Sequence, residues 1–172
     1  KIYCFIDEYN KEYIKKLSKN IAIIYRNYNK KINISLVKGI KQFCKINRRK
    51  FFLANNIKIA IKLNLDGVYI PSFNKKNEIN YYNKKRNFIV LGSAHNLNEI
   101  RIKEKQKVNC IFLSPVFYVK KSKKSLGIQK FNFLSNYTKK KIICLGGLNK
   151  KNMKKIKLLN IYGIASISLF KK

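Results

Sequence analysis

Short apolar runs alternate with longer lysine-rich stretches from one end of the chain to the other. Eight runs stand out, at residues 2–7, 21–28, 50–55, 67–72, 88–95, 109–117, 141–147 and 162–168. Each is a near-continuous block of Ile, Val, Leu, Phe and Cys, the pattern of a strand covered on both faces of a parallel sheet. The stretches between them carry helical periodicity. Residues 35–46 place Leu36, Ile40 and Phe43 on one side, and residues 149–159 place Met153, Ile156 and Leu159 on a common face. Residues 57–63 follow an Asn cap, and residues 96–106 open on Asn96 with Glu99 three positions on, in the manner of a capping box.

About eight strands, each followed by a helix or a helix-length loop, predict α/β architecture in the form of a (β/α)8 TIM-type barrel, a single domain over residues 1–172. A doubly wound open sheet is the rival. Ile6-Asp7-Glu8-Tyr9 stands where a dinucleotide-binding version of that rival would carry G-x-G-x-x-G, which counts against it. Barrels usually take about 200 residues or more. At 172 residues the loops must be compact, and only Leu169 to Lys172 are left for the last helix, expected short or missing. The chain opens on Lys1 rather than Met, so a fragment of a longer protein is one reading.

Composition changes this picture little. An apolar share of 46% supplies a core. Lysines interrupt every apolar run before the roughly 20 residues of a membrane span, and no signal peptide is legible, which points to the cytoplasm. The net charge of +33 suggests nucleic acid, but the lysines lie on nearly every helix and loop rather than on one face, and no nucleic-acid motif accompanies them. General surface drift explains the charge better, and a positive field still draws in anionic metabolites. Cys4, Cys44, Cys110 and Cys144 lack C-x-x-C spacing, and only one His is present, so buried hydrophobic thiols are expected rather than a zinc site.

Polar and glycine residues at the C-terminal ends of barrel strands are the first candidates for chemistry. These are Arg26, Asn55, Asn56, Ser72 to Asn74, the run Gly92-Ser93-Ala94-His95-Asn96, the run Ser114-Pro115-Val116-Phe117, Gly146-Gly147, Ser166 and Ser168. His95 is the one histidine and suits a general acid or base, or else a locally bonded turn residue. Gly146-Gly147 before a helix suits a phosphate cradle, or else a tight turn. The loop at 120–127, with Ser122 and Lys123, offers cationic donors over the mouth, or else solvated lysines. With only seven Asp and Glu in the chain, a two-carboxylate Mg2+ site is hard to build.

The order of these motifs from about Phe51 to Phe170 resembles the thiamine phosphate synthase / TenI family: Asn55-Asn56, Asp66-Gly67-Val68-Tyr69-Ile70, Gly92-Ser93-Ala94-His95-Asn96, Ser114-Pro115-Val116-Phe117, Gly146-Gly147-Leu148 and Gly163-Ile164-Ala165-Ser166-Ile167-Ser168. The resemblance implies a (β/α)8 barrel handling thiazole phosphate. Synthases in the family join it to an aminopyrimidine pyrophosphate with Mg2+. TenI-like members isomerise a thiazole carboxylate phosphate by proton transfer, or only bind ligand. It implies that Gly147 and Ser166 to Ser168 line the phosphate pocket and that residues 114–125 cover the thiazole side. The expected substrate- and phosphate-binding set is Arg26, Asn55, Ser93, Ser114, Ser122, Lys123, Gly146, Gly147, Ser166 and Ser168, with His95 catalytic.

The departures point within the family. Asn56 and Asn74 stand where synthases carry metal-binding aspartates, and of the Gln-x-Arg-x-Lys grip on the second strand only Arg26 remains, flanked by Ile24 and Tyr28. An amide brings no charge to Mg2+. The expectation is a TenI-like or degenerate role with no required cofactor, Mg2+ entering only if synthase activity is retained. An active synthase, a non-catalytic phosphate-ligand sensor and, remotely, a nucleic-acid-binding protein are the alternatives. Homo-oligomerisation is left open.

Overall fold

A computed structural model describes residues 1–28, 31–78, 80, 86–120 and 123–170. Eight parallel strands close into one barrel in the order β1-β2-β3-β4-β5-β6-β7-β8. They are β1 (Ile2–Ile6), β2 (Ile21–Tyr25), β3 (Phe51–Ala54), β4 (Gly67–Ile70), β5 (Ile89–Ala94), β6 (Cys110–Leu113), β7 (Lys141–Leu145) and β8 (Gly163–Ser166). β8 pairs back onto β1, with Ile164 opposite Ile2 and Ser166 opposite Cys4, so no strand edge is left open.

Alternate residues of each strand serve two cores, which is why the sequence shows continuous apolar runs. Inside the barrel Tyr3, Phe5, Phe52, Tyr69 and Phe112 pack beside the small Ala22, Ala54 and Ala165. Large beside small fills the narrow interior. The rings meet edge to face, Tyr3–Phe112 and Phe5–Tyr69 both at 5.1 Å between centroids. The other strand face, including Cys4, Ile23 and Val68, packs beneath the helices.

Five α-helices have both ends among the described residues, in chain order: α1 (Lys11–Lys16), α2 (Ile34–Ile46), α3 (Ile57–Lys62), α4 (Leu97–Lys105) and α5 (Gly127–Asn136). α1 to α4 start on an asparagine whose side chain accepts from a backbone N–H three residues on: Asn10, Asn33, Asn56 and Asn96. This is the preferred N-cap chemistry. The expected helix over 149–159 is instead a 3-10 turn, Met153–Leu158, with no buried residue. The Asn149–Asn152 side chains tie up the backbone N–H groups ahead of it, a local bonding pattern that competes with an α-helical start. No helix follows β8 among the described residues.

All four cysteines are buried thiols outside any disulfide, and burial pushes the Cys44 and Cys144 thiols up to about 12. The unusual buried residue is Lys103 on α4, wholly inaccessible, its ammonium pushed down to about 8 by loss of solvent. The ordinary value is 10.5, so between pH 8 and pH 10.5 the unfolded chain binds the extra proton and stability rises with pH. Relative to a Lys103→Met variant, the wild type is expected to gain up to about 3 kcal/mol across that window. Melting temperatures of the two proteins measured against pH check this, and a wild type that loses stability relative to the variant as pH rises through that window would contradict it.

Candidate functional site

The C-terminal ends of the strands gather Arg26, Asn55, His95, Ser114, Gly147 and Ser166 at one mouth, because all eight strands run the same way. On the β5–β8 side, His95 follows β5 directly. Its Nδ1 lies 2.7 Å from the carbonyl oxygen of Ser114 and 3.2 Å from the Ser114 hydroxyl. A carbonyl can only accept, so Nδ1 carries a hydrogen, and in the neutral imidazole Nε2 holds the lone pair. The Glu99 carboxylate accepts from the His95 backbone N–H at 2.8 Å while Asn96 caps the same helix, so the capping box also fixes the histidine's backbone.

After β6 the chain passes through a cis Ser114–Pro115 peptide and folds across the neighbouring strand end. Val116 and Phe117 donate to the carbonyls of Leu145 and Gly146 at 3.0 and 3.2 Å, and Leu126 and Gly127 return to those of Pro115 and Val116. A Val119–Lys124 bridge closes this flap, with Lys123 in the left-handed region. Ser122 lies outside the described residues.

The two glycines after β7 separate in purpose. A Cβ on Gly146 would stand 2.8 Å from the Pro115 ring, and one on Gly147 2.5 Å from the Phe117 carbonyl oxygen. Both have positive φ, +92° and +72°. Asn152 holds the Gly147 carbonyl at 2.7 Å. Beside them at the end of β8, Ser166 Oγ accepts from the Leu169 N–H at 2.9 Å, which leaves its own hydrogen for another acceptor, and Ser168 is exposed. Among the described residues the N–H groups of Gly147, Ile167 and Ser168 donate to no protein acceptor. Backbone N–H groups and hydroxyls at two adjacent strand ends form a cradle suited to an anion.

The β2–β4 side is built differently. Arg26 pairs with Asp7 at 3.2 Å and lies over the Phe5 ring, 5.3 Å from its centroid. Tyr28 meets Phe73 edge to face at 5.3 Å, and burial beside Tyr69 pushes its hydroxyl's pKa up. Ser93 hydrogen-bonds Tyr69 at the top of the barrel interior, whose hydroxyl burial pushes up to about 12. Asn74 donates to Asn55 at 2.7 Å, and the Asn56 side chain is committed to capping α3. Asn55, Asn56, Lys58, Asn74, Lys75 and Lys76 line a cavity of about 420 Å³ whose one carboxylate among the described residues is Glu78. This donor set does not suit Mg2+, which takes hard anionic oxygens: the amides are neutral, each of their oxygens already accepts a hydrogen bond, and three lysines compete for the space. Replacing Asn56 and Asn74 together by Asp is expected to bring Mg2+ affinity from negligible into a measurable range, read by calorimetry. An Asp at 56 can still cap α3, so failure to bind would mean that the strand ends are not placed for a metal.

Tyr28 and Asp7 were not among the candidate site residues read from sequence, and Phe73 entered only as part of the run at 72–74. Asp7 alone left a signal, as a carboxylate at a strand end in a chain with seven acids.

The closed barrel thus sets Gly147, Ser166 and Ser168 at the ends of its last two strands. The thiamine monophosphate synthase family model matches residues 8–170, and the chain belongs to the thiamine phosphate synthase / TenI family. Thiamine-phosphate synthase of Methanococcus vannielii is 27% identical over 124 residues, 69% of this chain and 58% of that protein, so the match spans little more than half of the relative. A putative thiamine-phosphate synthase 2 of Aquifex aeolicus is 27% identical over 78% of this chain and 73% of its own length. Among solved structures, thiamine phosphate pyrophosphorylase from Pyrococcus furiosus superposes with a TM-score of 0.77 at 20% identity, covering 98% of this chain and 85% of that one. No helix of the described residues is long and apolar enough to cross a membrane.

Proposed function

We propose that this protein binds a thiazole phosphate at the C-terminal mouth and acts on it by metal-independent proton transfer, in the TenI-like manner, rather than as a synthase. The observation that carries the reading is the contrast between the two sides of the mouth. The β7–β8 side keeps N–H donors and hydroxyls for a phosphate. The β3–β4 side has amides and lysines where Mg2+ would need carboxylates.

In this reading Gly147, Ser166, Ile167 and Ser168 hold the phosphate, and the flap of residues 114–120 and 123–127 covers the thiazole. His95 Nε2 takes a proton from one carbon of the bound thiazole carboxylate phosphate and returns it to another, so the ligand changes only in the placement of a hydrogen and a double bond. While the imidazole is protonated, the Ser114 carbonyl keeps its bond to Nδ1–H and stabilises the positive charge. Arg26, already paired with Asp7, stays at the wall.

The test is a thermal-shift titration with thiazole phosphate, with and without Mg2+, followed by an NMR assay of tautomer exchange. A ligand-dependent rise in melting temperature independent of Mg2+ supports the reading. Pyrophosphate release from paired thiazole and pyrimidine substrates at an ordinary enzymic rate would replace it with synthase activity, which the names of the relatives favour. Binding with neither activity would leave a ligand sensor.

A further inference from the structure

Lys103 is a lysine in a place meant for an apolar residue. It sits one turn after Ile100 on the buried face of α4 and is wholly inaccessible to solvent. Its stem passes close to Gly92 of β5, where a Cβ would stand 2.9 Å from Lys103 Cδ. The ammonium donates to the carbonyls of Pro71 and Asn74 and to Gln106 Oε1, each at 2.8 Å. Gln106, also buried, passes the contact on, donating to the carbonyls of Asn74 and Lys76 at 3.1 and 2.7 Å.

An ammonium ion buried without a carboxylate partner is costly, and an apolar side chain would fill the same space. Its retention needs a reason, and its acceptors supply one. Among the described residues its loop contacts are main-chain carbonyls of the segment after β4, those of Pro71 and Asn74. The side chains of that segment meet the mouth: Phe73 on Tyr28, and Asn74 on Asn55. A single cation organising several carbonyls is the job a bound metal does in other loops.

We propose that Lys103, relayed by Gln106, is the positioning residue of the β4 loop, an internal cation that holds Phe73 and Asn74 at the mouth of a barrel whose donors do not suit Mg2+. The proposal rests on the reading of this mouth as the substrate site, but its main readout needs no ligand.

The experiment compares wild type, Lys103→Met and Gln106→Leu by amide hydrogen exchange and by binding of inorganic pyrophosphate and thiazole phosphate. In Lys103→Met, exchange at Phe73 to Lys76 is expected to quicken about tenfold or more while the β1 and β8 amides stay unchanged. Pyrophosphate, the probe for the lysine-rimmed cavity beside the loop, should weaken about fivefold or more, and thiazole phosphate by less than about twofold, since its cradle lies on β7 and β8. Unchanged loop exchange would overturn the proposal. So would equal acceleration of loop and core, or parallel loss of both ligands, because either makes Lys103 a general stability element. If Lys103→Met fails to fold, Gln106→Leu carries the same comparison through the Lys76 and Asn74 contacts. The wild type must then also show slowly exchanging lysine ammonium protons by NMR, and their absence would overturn the assignment. Altered loop exchange in a protein that binds neither probe would sink the substrate reading and leave the positioning role standing.

Discussion

Gly147→Asp is expected to abolish the thermal shift produced by thiazole phosphate. Gly147 sits at φ +72°, where an L side chain is strained by about 1–2 kcal/mol. Its Cβ would also meet the Phe117 carbonyl at 2.5 Å, a backbone atom that cannot swing aside. Those two effects should lower stability by about 2–4 kcal/mol, and the carboxylate adds repulsion against a bound phosphate. Strain and charge are separated by two further variants. Gly147→Ala keeps the strain and loses the repulsion, so it should melt early yet retain weak binding. Ser168→Ala, at an exposed position, should leave the melting temperature alone and weaken phosphate about five- to tenfold, the scale of one lost hydrogen bond. Full-strength binding by Gly147→Asp would place the phosphate elsewhere.

The barrel was legible in the chain because its signal is redundant. Eight apolar runs each have to be covered on both faces, and their order along the chain is their order around the barrel. What the runs overstate is length. The run at 109–117 yields a strand of only four residues, Cys110–Leu113, because Pro115 has no N–H for the ladder and the chain turns onto β7. The run at 21–28 stops at Tyr25, after which Arg26 turns to Asp7. Periodicity reports burial, and the flap residues Val116 and Phe117 are covered without being paired in a strand. α1 and α5 went unread for the converse reason: α1 is six residues with one buried side chain, and α5 opens on Leu126 with no side-chain cap.

The site was legible in part. His95, Gly147, Ser166 and Ser168 stand out because each residue type is scarce or conformationally distinct at or just after a strand end. Lys103 could not stand out among 40 basic residues, since what separates it from its neighbours is burial, which depends on the segment after β4 folding over it. The one trace in sequence is its spacing of three from Ile100, which puts a charge on the apolar stripe of α4. Asn56 shows the opposite case. From sequence it is a lost metal ligand; in the fold its oxygen caps α3, work that both Asn and Asp perform. Asn rather than Asp at this position therefore changes the charge at the mouth without disturbing the helix beneath it.

His95→Asn is expected to lower the rate of thiazole tautomer exchange about a hundredfold or more, the usual scale for removing a positioned acid–base group. Asparagine is the informative replacement. Its amide N–H can still reach the Ser114 carbonyl that His95 Nδ1 contacts at 2.7 Å, so the flap keeps its anchor. It offers no lone pair that takes up a proton at neutral pH, so only the chemistry should go. Phosphate affinity, set by β7 and β8, should stay within about twofold, which makes the loss one of turnover rather than of binding. Chelators should leave the wild-type rate unchanged. Glu99→Gln provides the graded control: the amide can still accept from the His95 N–H at 2.8 Å in the wild-type geometry, so activity should fall only slightly. A His95→Asn enzyme that retains its rate would remove the imidazole from the reaction. A wild-type rate that chelators extinguish would show that the amides of the β3–β4 side do hold a metal, and with it the synthase reading would return.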